Sequence, residues 1–442
     1  MNKQPSVRAN VIATLEKIHQ GQSLSSLLDG LLNATQDNER GFAHELLLGT
    51  LRQWHAISRI GESLIKIPPS DVSITCALNM GIYELIYMST PAYALINETL
   101  NAVKELDKSY GVGLINAILR KVATSPEKFA KKINKNHSLP NWLAKQLKSD
   151  WGVYYEPIGQ SLRQVAPVFL RVNPKYITLD EYAKKLADAS IAYDILPLGV
   201  GDECVIKLVD GVRIAQLPNF TDGYVSVQDR HAQLCGHILS TLNLPDELKV
   251  LDACTAPGGK LAQLLELSGV GKFHVKRIIA LDNDEKRLSR VHDNLHRLSL
   301  TDGVQVICAD GRTYQSDIPF DMIVLDAPCT ATGVIRRHPD IALLRDEQDI
   351  VQTVQLQAQI LANLWQNLKV GGYLLYVTCS LLKVENEYQL SNFLNAHSDA
   401  KVVDFDLTLL NQIKQSVGYQ CLPFDNDDGD GFYYGLLQKI AV

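Results

Sequence analysis

Apolar residues in the first 125 positions of the chain return at intervals of three and four. Val7, Val11, Leu15 and Ile18 make one stripe, and Phe42, Leu46, Leu47, Thr50 and Leu51 make a second. That spacing lines one face of an α-helix. Pro68-Pro69 stops a helix and Ser70-Asp71 offers an N-cap to the next, where Ile74, Leu78, Ile82 and Leu85 resume the period. Leu114, Ile115, Ile118 and Leu119 mark a further helix, and nothing from Pro91 to Lys121 alternates as a strand would. The pattern predicts a small all-α bundle.

The pattern changes near residue 150. Pro167-Val168-Phe169-Leu170-Arg171-Val172 reads as a strand closed by an Asn173-Pro174 turn, residues 178–189 read as a helix, and Cys204–Val209 as a short strand. This is a compact α+β segment. From about 229 onward, apolar strands alternate with amphipathic helices: LKVLDAC, a helix from Lys260, RIIALD, a helix from Asp284, VQVICAD, FDMIVLDAP, a helix over 347–367, GGYLLYVTCS and a last FYYGLLQ. Leu288, Val291, Leu295 and Leu298 share one helix face. Near-continuous apolar strands separated by helices predict a parallel, doubly wound sheet. Three domains are therefore expected, at 1–140, 145–228 and 229–442, with ligands at the carboxyl ends of the strands of the last.

Composition narrows the classes without choosing among them. The 442 residues exceed one ordinary core. A hydrophobic share of 46% with 21% charged residues is that of a globular chain. No run of eighteen apolar residues is present and MNKQPSVRAN lacks the apolar core of a signal peptide, so a cytoplasmic protein without a membrane partner is expected. Eight scattered cysteines with no CxxC pair argue against a disulfide framework and against a metal site. The net charge of −6 would disfavour a nucleic-acid partner. The charge is uneven, however. Arg120, Lys121, Lys128, Lys131, Lys132, Lys135, Lys145 and Lys148 stand against a single acid, Glu127, and Arg336-Arg337-His338 adds a second basic patch. Such runs are either solvated helix faces or phosphate-contacting surfaces.

The unusual residues sit where strands end. The first long strand ends Asp252-Ala253-Cys254-Thr255-Ala256-Pro257-Gly258-Gly259-Lys260. A glycine turn opening a helix lets backbone N–H groups approach an anionic ligand. A Walker phosphate loop would need Gly at Cys254 and Ser or Thr at Leu261, and a GxGxxG fingerprint is absent. A Pro-Gly-Gly turn behind an acid leaves S-adenosylmethionine (SAM), whose amino-acid end needs backbone donors and a carboxylate. Asp282 is placed to bond ribose hydroxyls, as the acid after the second strand does in dinucleotide folds. Asp310 ends the third strand, where it would accept from the adenine amino group, and Asp326 ends the fourth. One strand-end acid is usually a cap or turn residue; four on successive strands converge on a crevice.

Cys329 follows Asp326-Ala327-Pro328, and Cys379 ends the next long strand. A lone cysteine in an α/β core is usually an inert small hydrophobe. Two at one crevice suit a particular chemistry. Carbon 5 of cytosine is a poor nucleophile until a thiolate adds at C6 and makes the ring enamine-like. A carboxyl group near N3 stabilises the charge that builds there, and an acid/base group must assist loss of the C5 proton. Cys379, Asp326 and Cys329 supply these parts, whereas an amine methylase needs no thiol.

DACTAPGGK, LDNDEKRLSRVHDNLHRL, ADGR, DAPCTATG and YVTCS, in that order, resemble the motif series of bacterial RNA (cytosine-5)-methyltransferases, and DGDGFYYGLL resembles that family's last strand. FLRVN around Arg171 is similar to the RNA-binding segment that precedes the catalytic domain there, and ERGFAHELLLGTLR resembles the domain of the antitermination factor NusB. The resemblance implies an all-α NusB-like bundle, a small α+β RNA-binding segment and a Rossmann-like SAM-dependent methyltransferase domain. It further implies a monomer that methylates C5 of one cytosine of 16S ribosomal RNA, free or in an early small-subunit intermediate. In that family the Cys of the TC motif is the nucleophile and the Cys of the PC motif assists release, which carries onto Cys379 and Cys329. The SAM loop carries onto Cys254 through Lys260, with Asp282, Asp310 and Asp326 as further cofactor-site acids, and Lys260 and Asp326 also join the catalytic group. DNA cytosine methylases reverse the thiol roles. Many relatives carry Ser where this chain has Thr330. A tRNA methylase and a non-catalytic RNA-binding factor are the competing readings.

Overall fold

The computed structural model describes residues 5–135, 137–209, 211–408, 412–425 and 427–441. The chain forms two compact units, one of residues 1–165 with 334–346, the other of 166–333 with 347–442. This cut differs from the expected three-part division. Residues 145–165 group with the front helices, and a short excursion from the second half joins them.

In the first unit the helices are Val7–His19 (α1), Leu24–Asn33 (α2), Arg40–Leu64 (α3), Val72–Tyr87 (α4), Ala92–Glu105 (α5), Val112–Ala123 (α6), Pro126–Lys135 (α7), Asn141–Trp151 (α8) and Tyr155–Ser161 (α9). The periodic stripes become its core: Val11, Leu15, Ile18, Leu46, Leu47, Leu51, Leu78, Ile82 and Leu119 are all buried. Each such aliphatic side chain contributes about 1.5–3 kcal/mol relative to exposure. Asp71 caps α4 as its position predicts, its carboxylate accepting from the Ser73 N–H at 2.9 Å. In the basic run, Phe129, Ile133, Leu143 and Leu147 point inward while all eight Lys and Arg side chains are exposed.

The 334–346 excursion corrects one expectation. Arg336 is fully buried, its Nη1 donating to Ser161 Oγ at 3.1 Å, and its carbonyl accepts from Arg52 Nε at 3.3 Å. Asp340 Oδ2 accepts the Leu24 N–H at 2.8 Å. A side chain so enclosed is part of the helical core, so Arg336 is no RNA-facing cation.

The second unit opens with Val168–Val172 (β1), Leu179–Asp188 (α10), Tyr193–Pro197 (β2), Cys204–Leu208 (β3) and Val225–Val227 (β4). These strands form an antiparallel sheet in the order β2-β3-β1-β4. A capping box between Thr178 and Glu181 starts α10. After Leu234–Ser240 (α11) come Leu248–Ala253 (β5), Gly259–Gly269 (α12), Val275–Asp282 (β6), Glu285–Arg297 (α13), Val304–Cys308 (β7), Phe320–Asp326 (β8), Glu347–Gln366 (α14), Leu368–Thr378 (β9) and Glu387–Ala396 (α15). Ala400–Val402 (β10), Gln412–Lys414 (β11), Tyr419–Cys421 (β12) and Phe432–Lys439 (β13) follow.

The large sheet has the order β11-β12-β13-β9-β8-β5-β6-β7, with β10 beside β13. Its β7-β6-β5-β8-β9 portion is parallel, as the alternation predicts. The strand order reverses at β5, which places a crevice at its carboxyl end. The remaining edge corrects the expectation of an all-parallel sheet. Tyr433 pairs with Thr378, so β13 begins beside the end of β9 and must run antiparallel to it.

Candidate active site

The loop between β5 and α12 is shaped by backbone geometry. Cys254 has φ +58°, the Ala256–Pro257 peptide is cis, and Gly258 has φ +93°, a left-handed value that side chains disfavour. Side chains from around the loop then bind its backbone. Asp282, at the end of β6, accepts the Ala256 N–H at 3.1 Å through Oδ2 and the Asp284 N–H at 3.1 Å through Oδ1. Arg287 donates to the Ala256 carbonyl at 2.7 Å, and Asn294 to that of Pro257 at 2.9 Å.

Arg171, within the FLRVN segment, approaches the same loop from β1. The side chain is 5% exposed and makes a two-point ion pair with Glu266 of α12, Nε to Oε2 and Nη2 to Oε1, both at 2.8 Å. Its Nη1 donates to the Gly259 carbonyl at 2.8 Å and also to Gln228. A guanidinium with these partners fixes the start of α12 and offers no surface to RNA.

Asp252 is fully buried, and Thr255 Oγ1 donates to its Oδ2. Its Oδ1 has no hydrogen-bond partner among the described residues. Burial, outweighing the Thr255 bond, pushes this carboxyl up to about 7. An unsatisfied acceptor beneath a glycine turn fits the ammonium of SAM, so the chemistry of the loop suits the cofactor that the sequence predicts. Asp310 follows the end of β7 and is engaged by Arg312, whose Nη2 lies 2.6 Å from Oδ2. That hydrogen bond is the main reason its carboxyl is held below the ordinary value.

The pair Lys260 and Asp326 spans the crevice. Lys260, on α12, donates through Nζ to Asp326 Oδ2 at 2.7 Å and lies 5.4 Å from the centre of the Phe432 ring. Burial opposes the lysine charge, but Asp326 above all, with Cys235 and Cys379, raises its pKa overall. Asp326 is opposite Val377 in the β8–β9 ladder, which brings the next residues of both strands together. The result is a Cys329–Cys379 Sγ–Sγ distance of 3.4 Å. The hydrogen bond to Cys379, then burial, raises the Cys329 thiol well above its ordinary value.

The loops that carry these thiols are knitted tightly. Gly333 donates to the Cys379 carbonyl at 2.9 Å and accepts from the Gly431 N–H at 2.9 Å. A Cβ on Gly333 would lie 2.2 Å from the Gly431 oxygen, which only glycine avoids. Beneath them lies a polar cluster that the sequence reading missed. Glu385 accepts from the Thr330 N–H at 2.7 Å, the Thr330 hydroxyl at 2.6 Å and the Ser380 hydroxyl. Asn386 accepts from Thr378 Oγ1 at 2.5 Å and donates to the Ser380 carbonyl at 2.9 Å, and Gln420 also donates to that carbonyl, at 3.1 Å. The available signal was the acid-amide pair six and seven positions after Cys379.

The profile described as 16S rRNA methyltransferase RsmB/F matches residues 239–438. The NusB family profile matches 5–124, and a ferredoxin-like domain described for RsmF/B-like methyltransferases matches 139–206. A ribosomal RNA small subunit methyltransferase B of Serratia proteamaculans is 39% identical over 97% of both chains. One of Pasteurella multocida is 38% identical over 99% of this chain and 96% of its own. The solved protein PH0851 shares the fold, with a TM-score of 0.76 at 22% identity over 99% of this chain and all of its own.

Proposed function

Because the chain belongs to the ribosomal RNA small subunit methyltransferase B family, a family of SAM-dependent methyltransferases, we propose that it methylates C5 of cytosine 967 in 16S rRNA through a cysteine–C6 adduct. The substrate is free rRNA or an early small-subunit intermediate, and the enzyme acts as a monomer. Division of labour follows the segments 1–140 and 145–228 for RNA and 229–442 for chemistry.

The observation that carries this reading is two thiols 3.4 Å apart beside the Lys260–Asp326 pair. SAM supplies an electrophilic methyl group at the carboxyl ends of the strands. The Cys254–Lys260 loop (Cys254, Thr255, Ala256, Pro257, Gly258, Gly259 and Lys260) would hold its amino-acid end, Asp282 its ribose and Asp310 its adenine. Cys379, the Cys of the TC motif, is read as the attacking sulfur, with Cys329 at hydrogen-bonding distance. Its thiolate adds to C6, and the ring electrons are released toward C5, which takes the methyl group. Asp326, steered by Lys260, faces the charge that grows at N3. Elimination then ends the cycle: water takes the C5 proton, the C–H electron pair re-forms the C5–C6 double bond, and the Cys379–C6 bond breaks to return the thiolate, a departure that Cys329 assists as hydrogen-bond partner of that sulfur.

Mass-spectrometric mapping of 16S rRNA from a strain lacking the gene, with and without the purified protein and SAM, tests this. Restored 5-methylcytosine at position 967 is expected. Methylation confined to tRNA, or none at all, would overturn the assignment.

A further inference from the structure

The thiols sit on two separate loops, and one carboxylate touches the residue that follows each of them. Glu385 is fully buried and accepts from both groups of Thr330, next to Cys329, and from the Ser380 hydroxyl, next to Cys379. Donors from both loops thus converge on one carboxylate. Its own backbone is fixed in turn, because Tyr376 donates its hydroxyl to the Glu385 carbonyl at 2.8 Å. Asn386, the next residue, is tied to Thr378 and to the Ser380 carbonyl. The loop ends are therefore locked to a common anchor.

The charge of that anchor has a direction. Its field is among the causes that raise the Cys329 thiol, after the Cys379 hydrogen bond and burial. Lys260 of α12 interacts with the Cys379 sulfur, and its partner Asp326 is at the end of β8. Tyr376 of β9 is in the field of Glu385 and Cys329, and Cys254 of the loop before α12 also faces Tyr376. Glu385 bonds the backbone or side chains of both thiol loops.

We propose that Glu385 is a positioning residue for methyl transfer: it holds the two thiol loops at hydrogen-bonding distance and directs the shared proton to Cys329, so that Cys379 is the sulfur free to attack. The inference rests on the reading of Cys379 as nucleophile. Glu385 is fully buried, so its effect is on the order of the protons and the spacing of the sulfurs.

The test is Glu385→Gln in the full chain, with single-turnover methylation of a 16S rRNA transcript followed from pH 5.5 to 9. Expected are SAM affinity by calorimetry and KM for RNA as in the unaltered protein, with kcat lowered about tenfold to a hundredfold by misplaced thiols. The midpoint of the alkaline-rising limb should fall by about one pH unit, because removing a nearby negative charge eases ionisation of the pair. A purely structural contact would not move that midpoint. An unchanged kcat and midpoint overturn the proposal. Should Glu385→Gln fail to fold, the double variant Thr330→Val with Ser380→Ala removes both hydroxyl donors and keeps the carboxylate. A lowered kcat at unchanged SAM affinity then supports the clamp, and an unchanged kcat overturns it. If instead Cys379→Ala still traps RNA covalently, the nucleophile reading itself fails, an outcome distinct from a wild-type-like Glu385→Gln.

Discussion

Replacing Arg171 with methionine separates a structural cation from an RNA-binding one. Methionine keeps much of the aliphatic volume and removes the guanidinium. What remains is Glu266, its side chain 2% exposed, without the cation that met both of its oxygens at 2.8 Å, and a Gly259 carbonyl without its donor. Stranding a buried charge in this way costs about 3–5 kcal/mol. For a unit of this size that is a fall in Tm of about 6–15 °C, measured by calorimetry on the full chain. Because Gly259 begins α12, SAM affinity should fall as well. Converting Glu266 to methionine in the same protein removes the stranded carboxylate, and most of the lost stability should return, since hydrophobic replacement of a whole buried pair is often neutral. RNA affinity in the double variant should match the wild type. The reasoning is refuted if Arg171→Met leaves Tm and SAM binding unaltered while RNA affinity drops.

Cys379→Ala should abolish methylation and give no covalent RNA adduct, while Cys329→Ala should add, transfer and stall, leaving a protein–RNA species on denaturing gels; the reverse pattern would exchange the two roles. Lys131 and Lys132 are exposed on α7, so reversing both to Glu should flatten the fall of RNA affinity with salt, and an unchanged slope would make the run a solvated face. Burial holds the Asp252 carboxyl at about 7 in the folded chain, against an ordinary 3.8, so its contribution to stability is lost as pH rises from about 4 through 7. Asp252→Asn should therefore raise the Tm of the cofactor-free protein at pH 8 and leave it unaltered at pH 3, while weakening SAM binding. A Tm gain equal at both pH values would show that Asp252 is ordinarily ionised.

The parts legible in the sequence are those fixed by local period or by position along a strand. Leu46, Leu47 and Leu51 announce their burial by spacing, and Asp252, Asp282 and Asp326 announce a crevice because parallel strands align their ends. Charge was a poorer guide. Arg336 read as part of a basic patch and Arg171 as part of a segment resembling an RNA-binding one, since formal charge carries no information about what lies opposite each side chain: Ser161 for Arg336, Glu266 for Arg171. The cluster around Glu385 was hidden for a related reason. Its members come from the ends of β8 and β9 and from β12, and no periodicity links residues that meet only after a sheet has formed. Thr330 was noted only as a departure from Ser, yet either residue supplies the hydroxyl that Glu385 accepts. The antiparallel edge was missed because an apolar strand such as FYYGLLQ looks the same in either direction.

The excursion of residues 334–346 means that the chain passes between its two units three times, after residues 165, 333 and 346. The two units are thus not beads on a string that a single cut can part. Deleting residues 1–165 would strip away the surroundings of Ile335, Arg336 and Ala342, all buried, and leave an ion and several apolar side chains in water. Expressing the first 165 residues alone would leave the complementary gap, with the Leu24 N–H and the Arg52 guanidinium missing their partners. Gene fusion or shuffling that moves one half of this protein must carry the thirteen-residue insert with the front half or rebuild it as a short loop, a constraint that ties the inheritance of the two halves together.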